Sequence, residues 1–96
     1  MYHYVRNNPN PSDRLGENLS VSPARFEEQM AWLAEHGYEA IRMVDLLRAW
    51  QGEMALPSKA VVLTFDDGYA DAYTTAAPIL ARHGFRGTVF VVKSFV

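Results

Sequence analysis

The residues best suited to chemistry are Asp66 and Asp67, in the run Thr64-Phe65-Asp66-Asp67-Gly68-Tyr69. Two neighbouring carboxylates repel each other, so one is pushed to keep its proton unless a cation lies beside both. A divalent metal is the usual solution. Adjacent side chains on a turn also point in different directions, so one carboxylate can ligate a metal while the other accepts a proton from water. Gly68 supplies the backbone freedom such a turn needs. The residues alone leave a plainer reading open, in which Asp66 or Asp67 simply caps a helix beginning near Ala70.

The elements around the pair must place it where a ligand can reach. Ala60-Val61-Val62-Leu63-Thr64-Phe65 is a continuous apolar, β-branched run without alternation, the pattern of a strand buried on both faces. Asp71 to His83 has helical composition, with Pro78 either kinking the helix or restarting it as a first-turn residue. Thr88-Val89-Phe90-Val91-Val92 reads as a second buried strand. Strand, helix and strand in this order form a βαβ unit with parallel strands and a right-handed crossover. The aspartates then lie at the carboxyl end of a parallel strand, where open α/β sheets bind their ligands.

Upstream, Met1 to Val5 is a short strand that includes His3. Arg6 to Leu19 holds Asn7, Asn8, Pro9, Asn10, Pro11, Ser12 and Gly16, a density of turn formers that predicts one long loop. Loops of that length often carry function, but nothing in this one names a ligand. Ser22-Pro23 supplies an N-cap and a first-turn proline, and Phe26, Met30 and Leu33 follow at helical spacing until Gly37. Tyr38 to Arg42 is a strand candidate, and Met43, Leu46, Leu47 and Trp50 mark a second helix that ends by Gly52. Met54 to Ser58 is a connector.

Two stretches echo each other, Leu33-Ala34-Glu35-His36-Gly37-Tyr38 and Leu80-Ala81-Arg82-His83-Gly84-Phe85. Both read as Schellman corners, with glycine in the left-handed position and the next aromatic packing back on the leucine. The shared physics accounts for the likeness without a duplication. His36 and His83 are then helix-end cations or surface residues rather than ligands.

Composition bounds the function. The 96 residues are 49% hydrophobic, carry 9 Lys+Arg against 11 Asp+Glu, for a net charge of −2, and contain no cysteine. So apolar a chain is not intrinsically disordered. A disulfide scaffold, a thiolate metal site and a cysteine nucleophile are excluded, while the compartment stays open. Two lysines and seven scattered arginines make no basic stripe, which argues against nucleic acid as a partner. No transmembrane segment is expected, and the start lacks the basic leader and apolar core of an export signal.

These residues resemble the polysaccharide deacetylases with the NodB homology domain, also called carbohydrate esterase family four. Thr64-Phe65-Asp66-Asp67-Gly68-Tyr69 is similar to the family's first motif, and Ile79-Leu80, His83-Gly84-Phe85 and Thr88-Val89-Phe90-Val91 have its usual continuation. Met1-Tyr2-His3-Tyr4-Val5, the loop, Phe26 to Tyr38 and Leu46-Leu47 resemble the subgroup that includes poly-N-acetylglucosamine deacetylases. The resemblance implies an α/β fold with a partial parallel-stranded sheet, the N-terminal portion of a distorted (β/α) barrel. Residues 1–58 would form its first strand, loop and helices, and 59–96 the βαβ unit with the Asp-Asp motif.

By the same resemblance, Asp66 is the general base, Asp67 a ligand of a divalent metal, most often zinc, His3 the general acid, and Tyr69 a substrate-binding residue. The implied reaction is hydrolysis of N-acetyl groups on an aminosugar polysaccharide, the work of a hydrolase acting on carbon-nitrogen bonds other than peptide bonds. The implied setting is the cell envelope or the exterior. Against this stand two departures: the family's metal-binding His-x-x-x-His has no counterpart, since the histidines lie at 3, 36 and 83, and the family's later substrate-groove motifs have none either. A catalytic zinc normally takes three protein ligands. The expectation is therefore an N-terminal part of a deacetylase domain with an incomplete active site. Two other classes compete with it. One is a non-catalytic α/β module that pairs through an open sheet edge with another chain or a second copy of itself, and the weaker one is a receiver-like phospho-acceptor, which the order of elements disfavours.

Overall fold

Short parallel strands, each pair joined across a helix, build the chain into a partial α/β fold. The computed structural model describes residues 1–10, 12–66, 70 and 72–90. Strand β1 (Tyr4–Val5) pairs in parallel with β2 (Ser20–Val21), and β3 (Glu39–Ile41) with β4 (Ala60–Val62). In the third pair β5 (Thr64–Asp66) lies parallel to β6 (Thr88–Phe90), as the βαβ reading requires. A single parallel bridge from Tyr2 to Phe65 joins the first pair to the third.

The helices follow their sequence signals with one exception. Helix α2 (Pro23–Glu35) starts where Ser22 Oγ accepts the Arg25 amide, and α3 (Met43–Trp50) starts where Asp45 accepts the Arg42 amide. The exception is α1 (Arg14–Leu19), a helix inside the stretch whose composition predicts only a loop. Asp13 caps it by accepting the Gly16 amide at 3.1 Å. Gly16 acts here through its missing side chain, because a Cβ would stand 2.7 Å from the Asp13 carboxylate. One cap and one close approach thus outweigh the turn-forming composition.

The run expected as one buried strand is interrupted at Leu63, where its partners change. Before Leu63 it pairs with β3, and after it with β6 on one side and Tyr2 on the other. Only Leu63 and Phe65 of this run are fully buried. Ala60 to Val62 are half-buried, and the connecting α3 buries none of its own residues fully. Likewise Phe90 in β6 is exposed rather than buried, and Val91 and Val92 lie outside the described residues. The helical stretch after the aspartates begins as a π-helical turn, Ala72–Ala76, and becomes α4 (Ala77–Arg82) at Pro78. Proline restarts the helix in its first turn, one of its two expected roles.

The core gathers Val5, Phe26, Met30, Leu63, Phe65, Ala76, Ile79 and Leu80. Phe26 and Met30 are wholly inaccessible and come from the i, i+4 face of α2. Truncating Phe26 to alanine in such a core costs about 3–5 kcal/mol, a large share of a small domain's stability.

Candidate active site

Backbone register brings the first two candidates together. Tyr2 donates its amide to Thr64 O at 2.7 Å, and Asp66 donates its amide to Tyr2 O at 2.8 Å. With Tyr2 opposite Phe65, His3 falls opposite Asp66. Side chains alternate across an extended chain, so Tyr2 and Phe65 share one face while His3 and Asp66 share the other. A slip of one residue would send His3 into the core.

The core face holds that register with three rings. Tyr2 stacks on Phe65 with centroids 5.5 Å apart and meets Phe26 edge-on at 4.9 Å, while Phe26 and Phe65 meet at 5.9 Å. The Tyr2 hydroxyl donates to Gln29 Oε1 at 2.5 Å, which anchors the ring to α2. Burial raises the Tyr2 phenol above its ordinary value, so it stays a neutral donor over the physiological range.

On the other face His3 Nε2 stands 3.8 Å from Asp66 Oδ2, within ion-pair reach and too far for a hydrogen bond. The two side chains are 23% and 26% exposed. They are therefore partly desolvated yet open to a small molecule, the setting in which an acid and a base can act on one substrate. Beside His3 lies a cavity of about 200 Å³ walled by Asn18, Leu19, Ser20 and Gln29.

The other candidates fare differently. Asp67 and Tyr69 lie outside the described residues, as do Gly68 and Asp71. Among the described residues no three His, Asp or Glu side chains cluster closely enough to hold a metal. His3 and Asp66 by themselves thus fall short of the three protein ligands a catalytic zinc takes. His36 is exposed and stays local, with Nδ1 2.7 Å from Trp32 O and its ring stacked on Trp32. His83 instead reaches across to Glu27. Composition and spacing did not single out Tyr2, Phe26 and Gln29 as supports of the site. The available signal was the alternation around His3, which requires an inward neighbour.

The polysaccharide deacetylase family model matches residues 53–96. Over 62 residues the chain is 48% identical to the poly-beta-1,6-N-acetyl-D-glucosamine N-deacetylase of Escherichia coli K12, a match covering 65% of this chain and 9% of that protein. The solved Streptococcus pyogenes deacetylase PplD, in complex with acetate, superposes with a TM-score of 0.82 at 32% identity over 96% of this chain and 40% of that one. A de-N-acetylase from Aggregatibacter actinomycetemcomitans superposes with the same TM-score of 0.82 at 30% identity, over 98% of this chain and 36% of the other. The chain spans less than half the length of each of these relatives. Shared sequence and shared fold agree, and the chain belongs to the polysaccharide deacetylase family, with a partial NodB-like α/β fold.

Proposed function

We propose that this chain is the N-terminal part of a metal-dependent deacetylase that removes N-acetyl groups from an aminosugar polysaccharide. The reading rests on one observation, the convergence of His3 and Asp66 at 3.8 Å on the same face of the sheet. The family supports the reaction class, and the name of the Escherichia coli relative supports a poly-N-acetylglucosamine as the polymer.

In this reading Asp66 accepts a proton from water as the water oxygen bonds to the acetyl carbon. The carbon-nitrogen bond then breaks, and His3 in its imidazolium form returns a proton to the departing amine. Acetate and a free amino sugar result, with atoms and charge balanced. Each such proton transfer contributes roughly 10²–10⁴-fold. Tyr69 contacts the sugar. Asp67 is assigned to a divalent metal, zinc first, whose contribution when bound is to polarise the carbonyl and lower the pKa of water. Its remaining ligands would come from polypeptide beyond these 96 residues or from a second copy.

A calorimetric zinc titration of the chain and of Asp67→Asn tests the metal assignment. Tight binding that disappears in Asp67→Asn supports it, and a folded chain that binds no zinc places the metal site in a longer protein. In a domain completed with the remaining deacetylase sequence, Asp66→Asn lowers acetate release by at least about 10²-fold while leaving zinc affinity unchanged. Equal zinc affinity in the two variants overturns the division of roles.

A further inference from the structure

We propose that Arg6, Asn7, Asn8, Glu17, Ser20 and Ser22 line a sugar-binding subsite, which holds the neutral N-acetylated unit next to the one whose acetyl group reacts. The identity of the ligand rests on the deacetylase reading, and the place of the site rests on the cavity itself. These residues border a cavity of about 300 Å³. That is the lower end of the range for small-molecule sites, roughly 300–1,000 Å³, and it suits a single sugar unit better than a run of them.

Topology puts this cavity beside the catalytic candidates. Arg6 leaves the carboxyl end of β1, and Ser22 leaves that of its parallel partner β2, the ends at which α/β sheets bind ligands. Val5 and Phe65 are both buried in the core, so Arg6 and Asp66, the residues after them, alternate to the opposite face. Arg6 follows His3 by three positions, at most about 11 Å of chain. The two regions also meet at Ser20, which borders both this cavity and the smaller one beside His3. A polymer with one unit at His3 and Asp66 therefore brings a neighbouring unit to Arg6.

The polar groups of the cavity are held in place by contacts that leave them free to bind. The Arg6 guanidinium lies over the Tyr4 ring, 3.5 Å from its centroid, and its Nε donates to Ser20 Oγ at 3.3 Å. Ser20 Oγ in turn donates to Gly16 O at 2.6 Å. The Nη groups of Arg6 make no hydrogen bond among the described residues. In the same cavity Glu17 Oε2 accepts from Asn8 Nδ2 at 2.8 Å, which leaves Oε1 as an acceptor. Helix α1 thus has a role in the site, since the Asp13 cap and the close approach at Gly16 fix the turn that carries Glu17. Asn7 adds an exposed amide that bonds to nothing among the described residues. A sugar hydroxyl donates and accepts at once, so it can engage both the arginine and the carboxylate. With one charge of each sign, the cavity has no net charge with which to select an anion or a cation.

Nuclear magnetic resonance of the 96-residue chain tests the subsite, with a short β-1,6-linked N-acetylglucosamine oligomer as the probe. The backbone amides of Arg6, Asn7, Asn8, Glu17 and Ser22 shift and saturate. Arg6→Gln raises the dissociation constant by about tenfold or more, through the loss of hydrogen bonds from a charged donor. Asn7→Ala raises it about threefold, and it leaves the fold intact because that side chain makes no internal hydrogen bond. The subsite is overturned by a folded chain that gives no saturable shifts, by shifts confined to other residues, or by an affinity unchanged in both variants. Acetate release from the completed domain separates these outcomes from the reaction itself. Release by a domain that shows no binding at the cavity overturns the subsite alone, whereas saturable binding at the cavity without release upholds the subsite and overturns the reaction.

Discussion

The two corners that end α2 and α4 share a six-residue pattern and the same backbone, yet their side chains do different work. In the first, Tyr38 donates its amide to Leu33 O at 3.0 Å and Gly37 to Ala34 O at 3.2 Å. In the second, Phe85 donates to Leu80 O at 2.9 Å and Gly84 to Ala81 O at 3.1 Å. Gly37 and Gly84 have φ of 78° and 69°. Both are Schellman motifs, as their sequences predict. The difference begins one atom beyond the backbone. His36 lies on Trp32 at the surface, whereas His83 is drawn to a carboxylate on another helix. Leu33 only flanks the core, while Leu80 is buried within it. Local sequence made the corners alike, and what packs beside them made them unlike.

Paired substitutions separate the shared part from the divergent part. The largest contrast is expected between the leucines. Leu80→Ala should destabilise by about 2–5 kcal/mol and Leu33→Ala by about 1–2 kcal/mol, measured by urea denaturation. Equal losses would mean that the two corners are packed alike after all.

The glycines should give the opposite result, with effects that match. Alanine at either position must adopt a left-handed conformation, costing roughly 1–2 kcal/mol. Its Cβ meets nothing within 4 Å at Gly84 and only the Lys59 side chain, at 4.0 Å, at Gly37. Backbone conformation is then the whole effect, and a clear inequality between Gly37→Ala and Gly84→Ala would show that packing enters at one corner.

The smallest effect is expected at His36. His36→Gln should change stability by less than about 0.5 kcal/mol, because it removes only an exposed contact within one helix. His83→Gln, by contrast, removes a contact between two helices and should cost more, up to about 1 kcal/mol. Equal losses of stability for His36→Gln and His83→Gln would erase the distinction between the corners.

Much of this was legible in the chain itself. Ser22-Pro23, Gly37 and Gly52 marked helix ends, the βαβ order implied parallel strands, and the run through Asp66 located a strand end suited to chemistry. Helix α1 was hidden because its cap and its close approach at Gly16 depend on individual contacts within a stretch whose average composition says loop. The break at Leu63 was hidden for another reason. A strand's sequence reports how apolar its surroundings are, but not that its partners change halfway along.

The candidate site divides the same way. Residue types and spacing alone were enough to mark Asp66, because paired carboxylates after an apolar strand carry their own chemical logic. His3 was only one histidine in a short strand until the register placed it at 3.8 Å from Asp66. That register depends on hydrogen bonds between segments more than sixty positions apart and on the Tyr2, Phe26 and Phe65 rings that hold them. The identities of the helices other than α1, the corners and the candidate carboxylate were thus set by short-range conformational preference and residue chemistry, which act within a few residues. Only the folded structure decided which histidine meets which acid, since that outcome belongs to strand register and core packing.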